Sequence, residues 1–260
     1  MGGNTGRRIS GAGAAPNSTP PSSASGSTQF TNTQYGAVVT DSAYSQARVE
    51  FTDYGNKPVT TAEIDNMIRH TGIPSDFGGT ISVTRDSSGK VTLNINGEGV
   101  SMTRSIRQDG DGKTYVYNEY FRIDNGTKYD GRGWEIFNNQ VNYISNNKSV
   151  YGDKPSYIKV SAAGNGPAFG QSDFNGYYTW LRFGYKPDLI DNATYTARYN
   201  SATGSNVRDM WAMMSTKQGR DWWRENGVGW RGTFDLSKGS DSRKILGDYS
   251  KERAKAKKRR

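Results

Sequence analysis

The chain has 260 residues, of which 33% are apolar and 32 are glycine, with a mean hydropathy of −0.84, so much of it is loop or tail and the folded part amounts to one domain. The net charge is +9, yet residues 251–260, K-E-R-A-K-A-K-K-R-R, hold seven Lys/Arg and one Glu, which makes the basic character a property of the C-terminus rather than of the whole molecule. There is no cysteine and a single histidine, His70, which excludes disulfides, thiolate nucleophiles and His-rich metal sites.

Residues 1–33 are Gly, Ser, Thr, Asn, Pro and Ala with almost no large apolar side chain; their expected state is a disordered low-complexity arm, because burial cannot offset the entropy of ordering them. No apolar h-region opens the chain and no apolar run approaches the roughly 18 residues of a membrane span. The expectation is a soluble cytoplasmic protein without a membrane partner. Residues 34–250 read as one domain and 251–260 as a basic tail.

Within 34–58 the apolar residues suit an edge strand or a short helix. Thr60 and Thr61 then precede A-E-I-D-N-M-I-R-H, where Ile64, Met67 and Ile68 fall at i, i+3 and i+4, the pattern of a short capped helix ended by Gly72 and Pro74. His70 sits in its last turn, where a structural role is expected. From Thr80 the period becomes two, through Ile81 and Val83, then Val91, Leu93 and Ile95, then Val100, Met102 and Ile106, with D-S-S-G, G-E-G and D-G-D-G between. These runs predict an antiparallel meander. D-G-D-G lacks the later ligands of a calcium loop and reads as a hairpin turn.

The meander leads into a strand over Thr114–Ile123, a loop with Gly126, Gly131 and Gly133, and a helix with Phe137, Val141 and Ile144 at i, i+4 and i+7. A strand entering a helix through glycines presents free N–H groups and the positive end of a helix dipole, which suits phosphate. Tyr157 to Ala163 predicts a strand parallel to the first, since a helix of crossover length separates them. Gly176 to Tyr185, G-Y-Y-T-W-L-R-F-G-Y, predicts a short aromatic helix closed by Gly184. Further on, Ser205 or Asn206 is the expected cap of a helix through Met210, Trp211, Met213 and Met214, with Trp222 and Trp223 beyond it in the core. Gly232 to Leu236 reads as a last strand, and Ser240 as the cap of a last helix.

Lys128, Tyr129, Asp130, Gly131, Arg132 and Gly133 resemble the cofactor loop Q/R-x-x-G-x-G/A of the GNAT superfamily of N-acyltransferases, and the order of elements from Thr80 to Tyr185 is similar too. Gly184 and Tyr185 resemble that family's Gly-Phe pair. The resemblance implies an α+β or α/β fold, with a GNAT-like mixed sheet whose meander runs into a splayed parallel strand pair flanked by helices. It implies an acyl-coenzyme A cofactor, such as acetyl-coenzyme A, whose acyl group passes to an amine. By position it assigns Gly131, Arg132 and Gly133, with Lys128 in place of the usual Gln or Arg, to the pyrophosphate. Ile123, Val160 and Ala162 fall to the pantetheine arm and Glu119 to the base. Trp180 stands where the family often has the Tyr that protonates the thiolate, and Tyr177, one turn earlier, offers a hydroxyl instead.

The aromatic segment is also similar to domains of phage-encoded proteins. This frames the alternative, a catalytically inactive GNAT-fold protein of the virion or host cytoplasm that binds protein or nucleic acid. Lys251, Arg253, Lys255, Lys257, Lys258, Arg259 and Arg260 would then neutralise phosphates without regard to sequence.

Overall fold

The computed structural model describes residues 29–30, 37–54, 59–170 and 174–257. In chain order, β1 (Gln29–Phe30), β2 (Ala37–Val39), β3 (Arg48–Asp53) and β4 (Val59–Thr60) lead to helix α1 (Thr61–Arg69). The meander follows as β5 (Thr80–Arg85), β6 (Val91–Gly97), β7 (Val100–Gln108) and β8 (Thr114–Ile123), then α2 (Gly133–Asn146) and β9 (Tyr157–Ala162). The remainder is α3 (Gly176–Arg182), β10 (Lys186–Pro187), α4 (Leu189–Thr203), α5 (Met210–Ser215), α6 (Lys217–Asn226), β11 (Trp230–Asp235) and α7 (Asp241–Lys257). The fold is mixed α/β: nine strands form one sheet in the order β10-β11-β9-β8-β7-β6-β5-β3-β2, and β1 pairs with β4 apart from it. β3 with β5 and β8 with β9 are parallel, and the other neighbours in the sheet antiparallel.

Local chemistry explains the elements. Thr60 and Glu63 form a reciprocal capping box, with the Glu63 N–H donating to Thr60 Oγ1 at 3.2 Å and the Thr60 N–H to Glu63 Oε2 at 2.8 Å. Gly184, at φ 98°, follows α3 where a Cβ would stand 2.4 Å from the Ser242 carbonyl oxygen; only glycine lets α7 come so close. The period-two pattern of the strands places Val49, Phe51, Ile81, Val83, Leu93, Ile95, Met102, Ile106, Val116, Ile158 and Phe234 in register on one buried face. Ile64, Met67 and Ile68 of α1 and Ile136, Phe137, Val141 and Ile144 of α2 complete this core. Trp180 and Phe183 bring α3 onto Phe137 at ring-centroid distances of 5.6 and 5.5 Å, and Tyr249 of α7 lies 5.3 Å from Phe183.

The other face carries Ser82, Thr92, Asn94, Asn96, Thr103, Tyr117, Lys159, Ser161 and Arg231, half-buried or exposed. Both parallel crossovers therefore put their helices on the apolar side, and the polar side is left uncovered by them among the described residues.

Several expectations change. The arm read over residues 1–33 lies outside the described residues except for Gln29 and Phe30, which pair with Thr60 and Val59. The cap of α5 is Asp209, whose carboxylate accepts the Ala212 N–H at 2.7 Å, not Ser205 or Asn206. Three residues, Val207 to Asp209, separate Asn206 from Met210, which is too far for a cap. A second cap at Thr216 starts α6, so the Met and Trp residues fall on two helices. Helix α4 has no counterpart in the sequence reading. The last helix runs on to Lys257, into the segment read as a basic tail; Lys258, Arg259 and Arg260 lie outside the described residues. No helix among the described residues is long and apolar enough to cross a membrane.

Candidate functional site

One residue makes the site. Along β7 and β8, Thr103 faces Tyr120 and Arg104 faces Asn118, so Glu119 is an extra residue in β8. Such a bulge bends its strand. The parallel pairing of β8 with β9 runs from Tyr115 to Asn118 and stops there, and beyond it the two strands part.

The opening is a cleft of about 1040 Å³. One wall is Asn118 to Asp124 of β8 and its end; the other is Ser161, Ala163 and the Asn175 to Phe183 side of α3. Gly131, Gly133 and Trp134 stand at its mouth with Tyr249 and Arg253 of α7. A shallower hollow of about 480 Å³ between α4 and α6 is lined by Ala197, Ser201, Ala202 and Trp222 with Arg198 and Asn226. It brings no acid–base pair together.

At the mouth the chain turns at Gly131, φ 69°, and enters α2 with no side-chain cap. Asp130 and Arg132 spend their N–H groups on Thr127 and Tyr129 carbonyls, whereas Gly131, Gly133 and Trp134 donate none among the described residues. First-turn donors point out of a helix, and Gly131, Gly133 and Trp134 line the cleft. Arg253 donates to the Gly131 carbonyl at 3.1 Å and has no carboxylate partner among the described residues. The final helix therefore delivers a cation to the glycine loop.

At the other end lies Glu119. Its carboxylate accepts from Ser105 Oγ at 2.6 Å and from the Arg107 guanidinium. Burial pushes the carboxyl up, but the bonds from Ser105 and Arg107 outweigh it and hold it below the usual range. Glu119 is ionised at neutral pH and already paired. The Arg107 guanidinium also lies 4.9 Å over the Tyr117 ring.

Of the other residues singled out in the sequence, Ile123, Gly131, Gly133 and Trp180 line the cleft. Lys128 points away, to Glu98 at 3.4 Å and Asp76 at 3.6 Å, and Arg132 is paired with Glu135 at 2.6 Å. Val160 and Ala162 are buried in the core, and their neighbours Ser161 and Ala163 face the cleft instead. Tyr177 lies outside the cleft: its hydroxyl donates to the Arg224 carbonyl at 2.7 Å, and its own carbonyl accepts from Trp223 and Trp230. Its hydroxyl pKa is raised by burial, so it is a poor proton donor to anything but that carbonyl. Lys251 and Lys255 are exposed on α7, away from the cleft lining.

His70 is fully buried, with Nδ1 2.7 Å from the Asn66 carbonyl oxygen; burial lowers its pKa and keeps the ring neutral. No group of three or more His, Asp or Glu side chains is placed to hold a metal ion among the described residues. Sequence reasoning missed Asn118 and Phe121, and placed Arg253 in a nucleic-acid-binding tail rather than at this cleft. Asn118 ties the cleft floor to α2 and to the segment after α3, donating from Nδ2 to Gln140 Oε1 at 3.0 Å and to Tyr185 Oη at 2.9 Å. An Asn in the apolar phase of a strand was the available signal.

No family model, curated protein or solved structure matches the chain.

Proposed function

We propose that the cleft binds an acyl-coenzyme A and that the protein transfers the acyl group to an amine, as the resemblance to the GNAT superfamily suggests. The observation that carries this reading is the parting of two parallel strands at Glu119, beside a glycine loop whose N–H groups are free and which lines the same opening. Phosphate oxygens would take the N–H groups of Gly131, Gly133 and Trp134, with Arg253 adding charge. The extended arm would run between Phe121 to Ile123 and Ser161 to Ala163, where broken strand pairing leaves backbone groups for its amides.

At the far end the slot reaches Glu119 and Ser161. Ser161 belongs to the polar face of the sheet, so an acceptor amine would have a path that no helix among the described residues blocks. The amine nitrogen would attack the thioester carbonyl to form the amide C–N bond, and the C–S bond would break with coenzyme A leaving as its thiolate. The proton released from nitrogen would pass towards Glu119 through water, from which the thiolate is protonated in turn. The ion pair with Arg107 makes Glu119 a weak base, suited to an amine that arrives already neutral. The role read for Tyr177 is set aside, because its hydroxyl is outside the slot and committed to Arg224.

Calorimetric titration of the full chain with acetyl-coenzyme A tests this reading. Binding that disappears in Gly131→Glu and weakens in Arg253→Glu is expected; Arg253 is exposed, so that variant keeps its fold. A folded wild-type protein that binds no coenzyme A ester would overturn the reading.

A further inference from the structure

Arg104 is an unusual residue to find where it is. It lies on the apolar face of β7, only 2% exposed, and arginine is almost never buried so deeply without a carboxylate. None is within ion-pair distance among the described residues. Its Nη1 donates to the Tyr120 carbonyl at 2.8 Å and to the Thr103 carbonyl at 3.3 Å, and its Nε has no partner. Burial pulls its pKa down to about 10, which leaves it a cation at neutral pH. Glu119 acts on it from beyond ion-pair distance but is already paired with Arg107, so the buried charge is under-compensated.

Its position links that charge to the cleft. The guanidinium carbon lies 5.0 Å from the centre of the Phe121 ring, and Phe121, Tyr120 and Asn118, its neighbours, all line the cleft. The other charges at this level are matched: Glu119 by Arg107 and Asp124 by Arg122. Asp130, at the mouth, accepts the Gly126 N–H. Arg104 and Arg107 share the one Glu119 carboxylate, which leaves one positive charge in excess behind this wall.

We propose that the floor of the cleft is an anion site, and that the ligand of the slot carries a carboxylate at its inner end, as in the monothioester of a dicarboxylic acid. This rests on the coenzyme A reading for the thioester but not for the anion. Cation–π contact with Phe121 holds the guanidinium in place, and the ligand's carboxylate supplies negative charge from the cleft past the positive edge of the ring rather than over its negative face.

The test compares succinyl-coenzyme A with acetyl-coenzyme A in calorimetric titrations of the full chain. Coulomb attraction across such a wall predicts that wild type prefers the succinyl ester by at least about tenfold. The preference should vanish in Arg104→Gln and persist in Arg104→Lys. Should Arg104→Gln fail to fold, Asn118→Asp settles the point with the arginine intact. Asn118 faces Arg104 across the strands, so an aspartate there supplies the counter-charge and should abolish the preference. Equal affinities in wild type, or a preference that survives Arg104→Gln or Asn118→Asp, would overturn the proposal. If neither ester binds, the coenzyme A reading fails and succinate alone decides the anion site. A concentration-dependent rise in Tm in wild type that is absent in Asn118→Asp supports it, and no rise overturns it.

Discussion

The two faces of the nine-stranded sheet are made by the same strands and differ in everything else. On one face Ile81, Leu93, Ile95, Val116 and Ile158 join the core that α1 and α2 complete; on the other Ser82, Asn94 and Thr103 pair in a row of their own and stay half-buried or exposed. Stability is thus concentrated on one side, because apolar burial is the dominant favourable contribution to folding. The open side is released from packing and can hold groups such as Arg107, Tyr117 and Glu119 near solvent. Glu119 joins the two: its bulge breaks the register that keeps the faces apart, and the cleft passes through the sheet at that point.

Substitutions on the two faces should separate cleanly. Phe137 touches Trp180, Phe183, Tyr185 and Phe234 with ring centroids between 5.2 and 5.6 Å, so Phe137→Ala should lower the unfolding free energy by about 3–5 kcal/mol. Urea denaturation measures this directly. On the open face, Arg107→Met should remove at most about 1 kcal/mol at neutral pH, the scale of a partly exposed ion pair.

That smaller effect has a pH signature. The Glu119 carboxyl is held below its ordinary 4.5, so its contribution is complete above that value and disappears as pH falls through the depressed native one. The stability gap between wild type and Arg107→Met should close in acid and not in base. Thr92→Ala should change stability by no more than about 0.5 kcal/mol. A loss from Thr92→Ala as large as that from Phe137→Ala would mean that something covers the open face.

Much of this architecture was legible in the chain. Alternation named the strands of the meander, Thr60 named the start of α1, and a helix of crossover length foretold that β8 and β9 are parallel. What escaped was of a different kind. The bulge at Glu119 is a relation between two strands, with no Gly or Pro to mark it, so one strand read alone does not show it. Helix α4 escaped because it buries only Thr196 and Tyr199 and exposes Leu189 and Ile190, leaving no apolar stripe. Lys251 to Lys257 were read as solvated tail on charge, yet Ala, Lys, Glu and Arg are good helix formers, and α7 continues through them. Charge alone gives Arg253 a place among the phosphate-neutralising residues of the C-terminus and says nothing of its contact with the glycine loop.

Strand β11 slots between β9 and β10, although both precede it in the chain. During synthesis β9 therefore waits with one edge unpaired while α3 to α6 are made. An unpaired strand edge accepts any matching strand, and the best match in a crowded solution is the β11 of another copy. Two chains that exchanged β11 and α7 would each regain a complete sheet, and each glycine loop would then be capped by the Arg253 of its neighbour.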